Sequence, residues 1–303
     1  MRIISLIASS TEIVCALGME EFLVGRSHEC DFPRTVTSLP VCTAPKFRVA
    51  ATSAEIDRQV KEILEDALSV YRVDATLLSA LEPTHIITQT QCEVCAVSLR
   101  DVEQAVKTFV GSRPQIISLQ PNGLADVWSD VERVAEGLGI AQRGHQLVTR
   151  LRARMAAIEH RSQALPERPT VACLEWIDPL MASGNWMPDL VRMAGGRNLF
   201  GEPDRHSPRL EWAEVVAADP DVILILPCGF DIPRTRQELP ALTRRPEWSS
   251  LRAMRMNRTY LLDGNQYFNR PGPRLAESLE ILAEIFHSEV FSFGHKEAGW
   301  QRL

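Results

Sequence analysis

The chain has 303 residues, of which 45% are hydrophobic and 24% charged, with a formal net charge of −6 and a pI near 5.7. This is the composition of an ordinary globular protein, and the length suffices for two domains. The acidic balance excludes a typical nucleic-acid binder, and no apolar run approaches the about 20 residues that insertion across a membrane requires.

The first half of the chain alternates short apolar runs with amphipathic segments. Strands are predicted at residues 2–7, 23–25, 85–88 and 115–118, and helices at residues 11–17, 54–70, 75–81, 99–110 and 125–138. Such alternation is typical of a mainly parallel sheet with helices on both faces. We therefore predict an amino-terminal α/β lobe over residues 1–141.

The first residues of the sequence indicate the cellular compartment in which the protein is expected. Residues 2–7 already resemble a core strand, and residues 9–12 (Ser-Ser-Thr-Glu) are typical of a helix start. A signal peptide would place a basic segment, a longer apolar run and a cleavage site ahead of the fold. We therefore expect a cytoplasmic protein, or a periplasmic one if the true start lies upstream. Seven cysteines spread along the chain fit free thiols in a reducing compartment.

One long helix is predicted near the middle of the chain. Leu147, Leu151, Met155 and Ile158 recur at helical spacing, and prolines follow from position 166. We predict that residues 142–165 form a connecting helix between two lobes.

The remainder predicts a second α/β lobe over residues 166–303. Its strands are expected at residues 170–174, 221–226 and 259–262, and its helices at residues 187–193, 211–217 and 274–287. Two phrases of the first lobe return here in the same order. Residues 13–25 (a helix, a glycine stop, a short apolar run and a glycine) match residues 190–201, and residues 81–87 match residues 218–224. The repeat predicts two similar lobes with a cleft that holds a small molecule.

Two polar segments of the first lobe follow predicted strands, where α/β folds place ligand loops. The first contains His28, Cys30, Asp31 and Phe32. The second, residues 89–98, contains Gln91, Cys92 and Cys95.

The C-x-x-C spacing of Cys92 and Cys95 is compatible with half of a zinc or iron site, a redox pair or two packed thiols. His28 and Cys30 are the obvious residues to complete a metal site. We expect a metal at Cys92, Cys95 and His28 only in the first of these three cases.

Aromatic residues in loops of the second lobe suit a flat apolar ligand. They are Trp176, Trp186, Tyr267 and Phe268, and the loop of the last two also contains Arg270. The sequence has no G-x-S-x-G, H-E-x-x-H or P-loop motif, and no G-x-G-x-x-G after the first strand. These patterns favour a binding protein over an enzyme.

The chain resembles the substrate-binding proteins of ABC importers for iron-siderophores, haem and cobalamin, the helical-backbone (class III) binding proteins. The resemblance is carried by residues 4–6, 9–12, 17–18, 24–25, the Glu-Pro and Asp-Pro strand starts, residues 183–184, 190–196 and 267–275. It is strongest to the cobalamin-binding branch, in which aromatic side chains enclose the corrinoid. Phe32, Trp186, Tyr267 and Phe268 lie on matching loops. The family also docks on an ABC permease through one glutamate per lobe, which the resemblance assigns to Glu93 and Glu211.

Three hypotheses follow. The first is non-catalytic binding of cobalamin, or of a related corrinoid or metal-tetrapyrrole, in the cleft between the lobes. The second is a cytoplasmic metallochaperone or enzyme that acts on such a ligand through Cys92, Cys95 and His28. The third is an ABC-importer substrate-binding subunit whose start has been misassigned.

Overall fold

The structure is a computed structural model that describes residues 1–65, 70–90, 99–106 and 113–303. The chain divides into two compact units. Unit 1 comprises Met1–Ala51, Glu55–Pro121 and Ala125–Arg150, and unit 2 comprises Thr52–Ala54, Asn122–Leu124 and Leu151–Leu303. The boundary near residue 150 runs through a single continuous helix, so that this helix contributes residues to both units.

The amino-terminal half alternates strands and helices as expected. The strands are β1 (Ile3–Ser5), β2 (Leu23–Arg26), β3 (Thr43–Pro45), β4 (Tyr71–Val73), β5 (His85–Gln89) and β6 (Gln115–Leu119). The helices are α1 (Ala8–Ala16), α2 (Ser53–Glu65), α3 (Ala75–Ala80), α4 (Leu99–Val106), α5 (Leu124–Gly137) and α6 (Ala141–Gln163). The ends of the predicted helices at 54–70 and 99–110 fall on residues outside the described ranges.

Four of these strands form the parallel sheet of unit 1, in the order β2-β1-β5-β6. Ile4 of β1 pairs with Ile86 of β5, and both side chains are fully buried. Strands buried on both faces read as continuous apolar runs, which explains why the sequence identified them. Because the strands are parallel, the loops after β1, β2, β5 and β6 leave the same edge of the sheet.

The antiparallel pair of strands β3 and β4 was not predicted. Thr43 pairs with Val73, and Pro45 pairs with Tyr71, in an antiparallel register. Three residues are too few to show the alternation that identifies a strand, and the two strands lie far apart in sequence. The β3–β4 pair matters because it contacts the loop after β2.

The long helix α6 agrees with the predicted periodicity. Leu147, Leu151, Met155 and Ile158 are all buried. At its amino end Arg143 donates to the carbonyl of Leu17 at 3.3 Å, within unit 1. At its carboxyl end, within unit 2, the hydroxyl of residue 162 donates to the carbonyl of residue 193 at 2.6 Å.

The carboxyl-terminal half contains a second α/β arrangement. Its strands are β7 (Thr170–Trp176), β8 (Met181–Ala182), β9 (Arg197–Asn198), β10 (Val222–Ile225), β11 (Thr259–Leu262) and β12 (Trp300–Arg302). Its helices are α7 (Met187–Met193), α8 (Trp212–Ala218), α9 (Ile232–Glu238), α10 (Pro240–Thr243), α11 (Arg252–Arg255) and α12 (Leu275–Phe286).

The sheet of unit 2 has the order β12-β11-β10-β7-β8, and β9 pairs with β7. Strands β7, β10 and β11 are parallel, while β12 runs antiparallel to β11 at the edge. The predicted two-lobe α/β class with mainly parallel sheets is therefore confirmed. Strand β12 was not predicted.

The repeated glycine stops are explained by backbone conformation. Gly18 and Gly195 occupy the same place in the two copies and have φ angles of +74° and +87°. Such left-handed conformations end helices and favour glycine. Within the described part of the chain, no helix has both the length and the apolar character needed to cross a membrane.

Candidate functional site

The loop after β2 carries the predicted residue His28, and the β3–β4 pair holds it in place. Thr43 of β3 accepts the backbone N–H of His28 at 3.1 Å, and its hydroxyl lies 2.8 Å from the Nδ1 atom of the imidazole. The ring of Tyr71 on β4 lies 5.2 Å from the imidazole, measured between centroids. Thr43 and Tyr71 could not be predicted as neighbours of His28, because only the pairing of β3 with β4 brings them together.

The environment of His28 disfavours its charged form. Burial, and then the neighbouring charge of Arg26, lower the pKa of the imidazole from 6.5 to about 4. The ring is therefore neutral at physiological pH. A neutral imidazole is the form that binds metals, so His28 retains the chemistry expected of a metal ligand.

The pKa of His28 predicts a pH-dependent stability. In the unfolded chain the imidazole takes up a proton near pH 6.5, whereas in the folded protein it does so only near pH 4. The free energy of unfolding should therefore fall as the pH drops from 6.5 to 4. Urea unfolding of the wild type and of His28→Gln at pH 7 and pH 5 measures this contribution. Equal losses of stability in the two proteins would contradict the predicted pKa.

Cys30 does not face solvent. Its residue is 1% exposed, and its sulfur accepts a hydrogen bond from the hydroxyl of Thr11 at 2.9 Å. Burial raises the pKa of the thiol, which keeps it protonated. Direct ligand contact by Cys30 therefore disagrees with its position inside unit 1. Asp31 and Phe32 in the same loop are exposed, Phe32 by 40%.

The second predicted segment of unit 1 cannot be placed. Gln91, Cys92, Glu93 and Cys95 lie outside the described residues. Within the described ranges, no group of three or more His, Cys, Asp or Glu side chains is arranged to hold a metal ion. The metal site at Cys92, Cys95 and His28 thus remains a prediction.

In unit 2, Trp176 and Phe230 form an aromatic pair at the carboxyl ends of β7 and β10. Their ring centroids are 5.3 Å apart, with an angle of 50° between the planes. The indole N–H of Trp176 donates to the carbonyl of Asp178 at 3.0 Å, and the guanidinium of Arg234 lies 4.6 Å above the ring of Phe230. Trp176 is half-buried and Phe230 is buried.

The strand ladder explains this pairing. Beyond β10, the backbone N–H of Leu226 donates to Leu174, and that of Cys228 donates to Glu175, at 3.0 and 3.1 Å. These bonds carry the chain after β10 alongside the end of β7, which brings Phe230 next to Trp176. The N–H of Asn265, in the loop after β11, donates to the carbonyl of Phe230 at 3.0 Å. Three strand-end loops therefore meet at the aromatic pair.

Two predicted ligand contacts are buried inside unit 2. Phe268 is 0% exposed, and Trp186 is also buried, with its indole N–H donating to the carbonyl of Phe268 at 2.8 Å. These rings stabilise the loops after β8 and β11 from within. Their predicted direct contact with a ligand disagrees with this burial, and the candidate site does not include them.

Tyr267 and Arg270 lie on the loop after β11. Tyr267 is half-buried, with the guanidinium of Arg274 4.3 Å above its ring. Arg270 is buried, and its Nη2 atom donates to Asn265 at 3.0 Å. The guanidinium thus fixes the loop that contacts Phe230.

Burial raises the pKa of Asp263 at the start of this loop, against the opposing effect of hydrogen bonds from Gln266. The aspartate accepts the backbone N–H of Gln266 at 2.7 Å. Asp263 therefore caps the short helical segment Gly264–Phe268 that carries Tyr267.

Glu211 begins helix α8 and is exposed. Its side chain accepts a backbone N–H of the first turn, and Glu214 reciprocates at 2.8 Å, which forms a capping box. An exposed carboxylate fixed at a helix start is compatible with docking, which remains a prediction for this residue.

The sequence of this chain is similar to those of known binding proteins. A family model described as "Periplasmic binding protein" matches residues 3–266. A vitamin B12-binding protein of Vibrio vulnificus (strain CMCP6) is 23% identical over 295 residues, covering 95% of this chain and 90% of the relative. An uncharacterised ABC transporter substrate-binding lipoprotein of Bacillus subtilis, YvrC, is 20% identical over 296 residues, covering 96% and 81%.

Solved structures match over similar lengths. The apo periplasmic heme-binding protein RhuT from Roseiflexus sp. RS-1 aligns with a TM-score of 0.70 at 24% identity, covering 95% of this chain and 98% of the other. The periplasmic vitamin B12-binding protein BtuF of Vibrio cholerae aligns with a TM-score of 0.65 at 17% identity, covering 94% and 96%. At these identities the structural matches show the shared fold.

Proposed function

The chain belongs to the periplasmic binding protein family, whose model matches residues 3–266, and we propose that it binds cobalamin, or a related corrinoid or metal-tetrapyrrole, without catalysis. The members of this family bind small molecules. The finer assignment to a flat metal macrocycle is our proposal, and relatives described as vitamin B12-binding and heme-binding support it.

One observation carries the proposal. The aromatic pair Trp176–Phe230 lies at the carboxyl edge of a mainly parallel sheet, the edge at which open α/β folds bind ligands. The half-buried indole of Trp176 offers a flat apolar surface, and Phe230 supports it from one side. Planar macrocycles such as corrins and porphyrins gain from stacking on such surfaces.

His28 is the proposed contact to the metal of the ligand. Its imidazole is neutral, and its Nδ1 atom lies within hydrogen-bond distance of Thr43. A hydrogen bond donated by Nδ1–H to Thr43 would orient the ring with the lone pair on Nε2, which lies 3.9 Å from the Oε1 atom of Glu29. The role of Cys92 and Cys95 in a metallochaperone or enzyme stays an alternative proposal.

Ligand titrations test the proposal. Purified protein is mixed with cyanocobalamin or with hemin and followed by absorbance and by calorimetry. We expect saturable binding of at least one of them, with a change in the visible spectrum because the metal environment changes. The absence of both heat and spectral change at high micromolar ligand concentrations would contradict the proposal.

An ABC permease is the partner that the family implies, and Glu93 and Glu211 are the proposed docking carboxylates. Glu211 is exposed, as docking requires. The cytoplasmic location remains a prediction, as does the periplasmic alternative. Fractionation of cells that express the chain from its own gene would distinguish the two.

A further inference from the structure

The last residues of the chain are held by a buried carboxylate. Glu284 of α12 accepts the backbone N–H groups of Phe293, Gly294 and His295, and the indole N–H of Trp300. The bonds from Gly294 and Trp300 measure 2.6 and 2.9 Å. Four N–H groups converge on this single side chain, which therefore shapes residues 288–303, here called the C-terminal segment.

A second glutamate, one turn before Glu284 on α12, also contacts the C-terminal segment. Glu280 accepts two bonds from the guanidinium of Arg154, both at 2.7 Å, and lies 2.8 Å from the Nε2 atom of His295. Arg154 belongs to α6. The C-terminal segment is thus tied through Glu280 to the part of α6 that belongs to unit 2.

The C-terminal segment also contacts the loop after β11. The carbonyl of Gly299 accepts the backbone N–H of Asp263 at 3.0 Å, and the ring of His295 packs edge-on against Tyr267 at 6.1 Å between centroids. A Cβ atom at Gly299 would lie 2.6 Å from Ile281 and 3.4 Å from Tyr267. The segment therefore fits closely between α12 and this loop.

The contacts continue from this loop to the aromatic pair. Asn265 donates its N–H to the carbonyl of Phe230 and accepts a bond from Arg270. A continuous path of contacts therefore leads from Glu284 through the C-terminal segment to the loop after β11 and then to Phe230. The family model ends at residue 266, so the C-terminal segment lies outside the match.

We propose that the C-terminal segment, anchored by Glu284, is a positioning element that sets ligand affinity by holding the loop after β11 against the aromatic pair. The inference rests on the proposed function, because it takes this loop to be part of the ligand site. Glu284 and His295 are positioning residues that act through Asp263 and Tyr267.

The test is the variant Glu284→Gln. The amide replaces one acceptor oxygen with a donor that opposes the N–H groups, which should release the C-terminal segment. We expect binding of cyanocobalamin or hemin to weaken roughly tenfold, the scale on which remote residues modulate a site. We also expect faster hydrogen exchange of the amides of residues 264–268.

Asp221→Asn is the matched control. Asp221 accepts the N–H and the hydroxyl of Thr170, both at 2.8 Å, at the amino end of β10, which is the opposite edge of the same sheet. This variant should lose stability without a change in affinity or in exchange at residues 264–268. An equal loss of affinity in both variants would show that affinity falls with any general loss of stability, and it would overturn the proposal.

If Glu284→Gln does not fold, Trp300→Phe is the second variant: it keeps an aromatic ring and removes one N–H donor to Glu284, and the same measurements apply.

Two further outcomes are decisive. Unchanged exchange at residues 264–268, while residues 293–295 exchange faster, would overturn the positioning role whatever the ligand. Absence of binding by the wild type would instead contradict the proposed function, and the exchange measurement would still decide the coupling.

Discussion

Replacement of Trp176 by alanine is expected to weaken the binding of cyanocobalamin or hemin by about 30-fold. A tryptophan that anchors a ligand contributes about 2 kcal/mol or more, which corresponds to that ratio of dissociation constants. The indole pairs with Phe230 at 5.3 Å and is half-buried, so its loss removes the flat surface while the core stays intact. Calorimetric titration of the two proteins at one temperature measures the effect.

Trp212→Ala is the control for this prediction. Trp212 stacks on Trp248 at 5.9 Å and donates its indole N–H to Pro246, in an aromatic pair outside the candidate site. Its removal should cost stability and leave ligand affinity unchanged. Trp176→Phe, which keeps an aromatic ring, should retain most of the affinity. Wild-type affinity in Trp176→Ala would place the ligand elsewhere.

Gly201→Ala should lower the free energy of unfolding by about 3 kcal/mol. Gly201 has a φ angle of +76°, and a left-handed conformation costs an L-residue about 1–2 kcal/mol. In addition, the new Cβ would lie 2.2 Å from the carbonyl oxygen of Ser183. Backbone atoms cannot yield as a flexible side chain does, so overpacking adds about 1–3 kcal/mol. Urea denaturation of the wild type and the variant measures the difference.

Variants at two other glycines separate the cost of the left-handed conformation from the cost of the clash. Gly139 has a φ angle of +72° with nothing within 4 Å of a new Cβ, so Gly139→Ala reports the conformational cost alone. Gly25 occupies the place of Gly201 in the first copy of the repeat, but a Cβ there would meet the side chains of Cys42 and Leu81 at 2.8 and 2.9 Å. Gly201→Ala should be the most damaging of the three. Equal losses in Gly201→Ala and Gly139→Ala would contradict the backbone clash.

The family and the α/β class could be predicted because their signals are local. Buried parallel strands appear as apolar runs, and Leu147 and Met155 mark α6 by their spacing. The β3–β4 pair and β12 could not be predicted, because these three-residue strands show no period. The hydrogen bonds of Glu284 to the C-terminal segment could not be predicted either. In sequence, a buried glutamate on a helix looks the same as one exposed to solvent.

The candidate site could be predicted in part. Trp176 was predicted from its place at the end of an apolar run, and the structure places it at the end of β7. Trp186 and Phe268 were predicted on the same ground, but their rings are buried. Loop composition does not show in which direction a side chain points. Phe230 was missed although it follows the predicted strand at residues 221–226. The Pro227–Gly229 turn was the available signal, since turns at strand ends carry ligand residues.

The antiparallel strand β12 imposes an order on biosynthesis. Leu262 pairs with Trp300, and Asp263 bonds to Gly299, so β11 and the loop after it take part of their contacts from residues 299–302. A nascent chain still held at the ribosome with these residues in the exit tunnel has already made Trp176 and Phe230, yet lacks the strand beside β11. The proposed ligand site is therefore expected to be complete only after residues 299–302 have left the exit tunnel and β12 has paired with β11, and a chain truncated before these residues should bind the ligand more weakly.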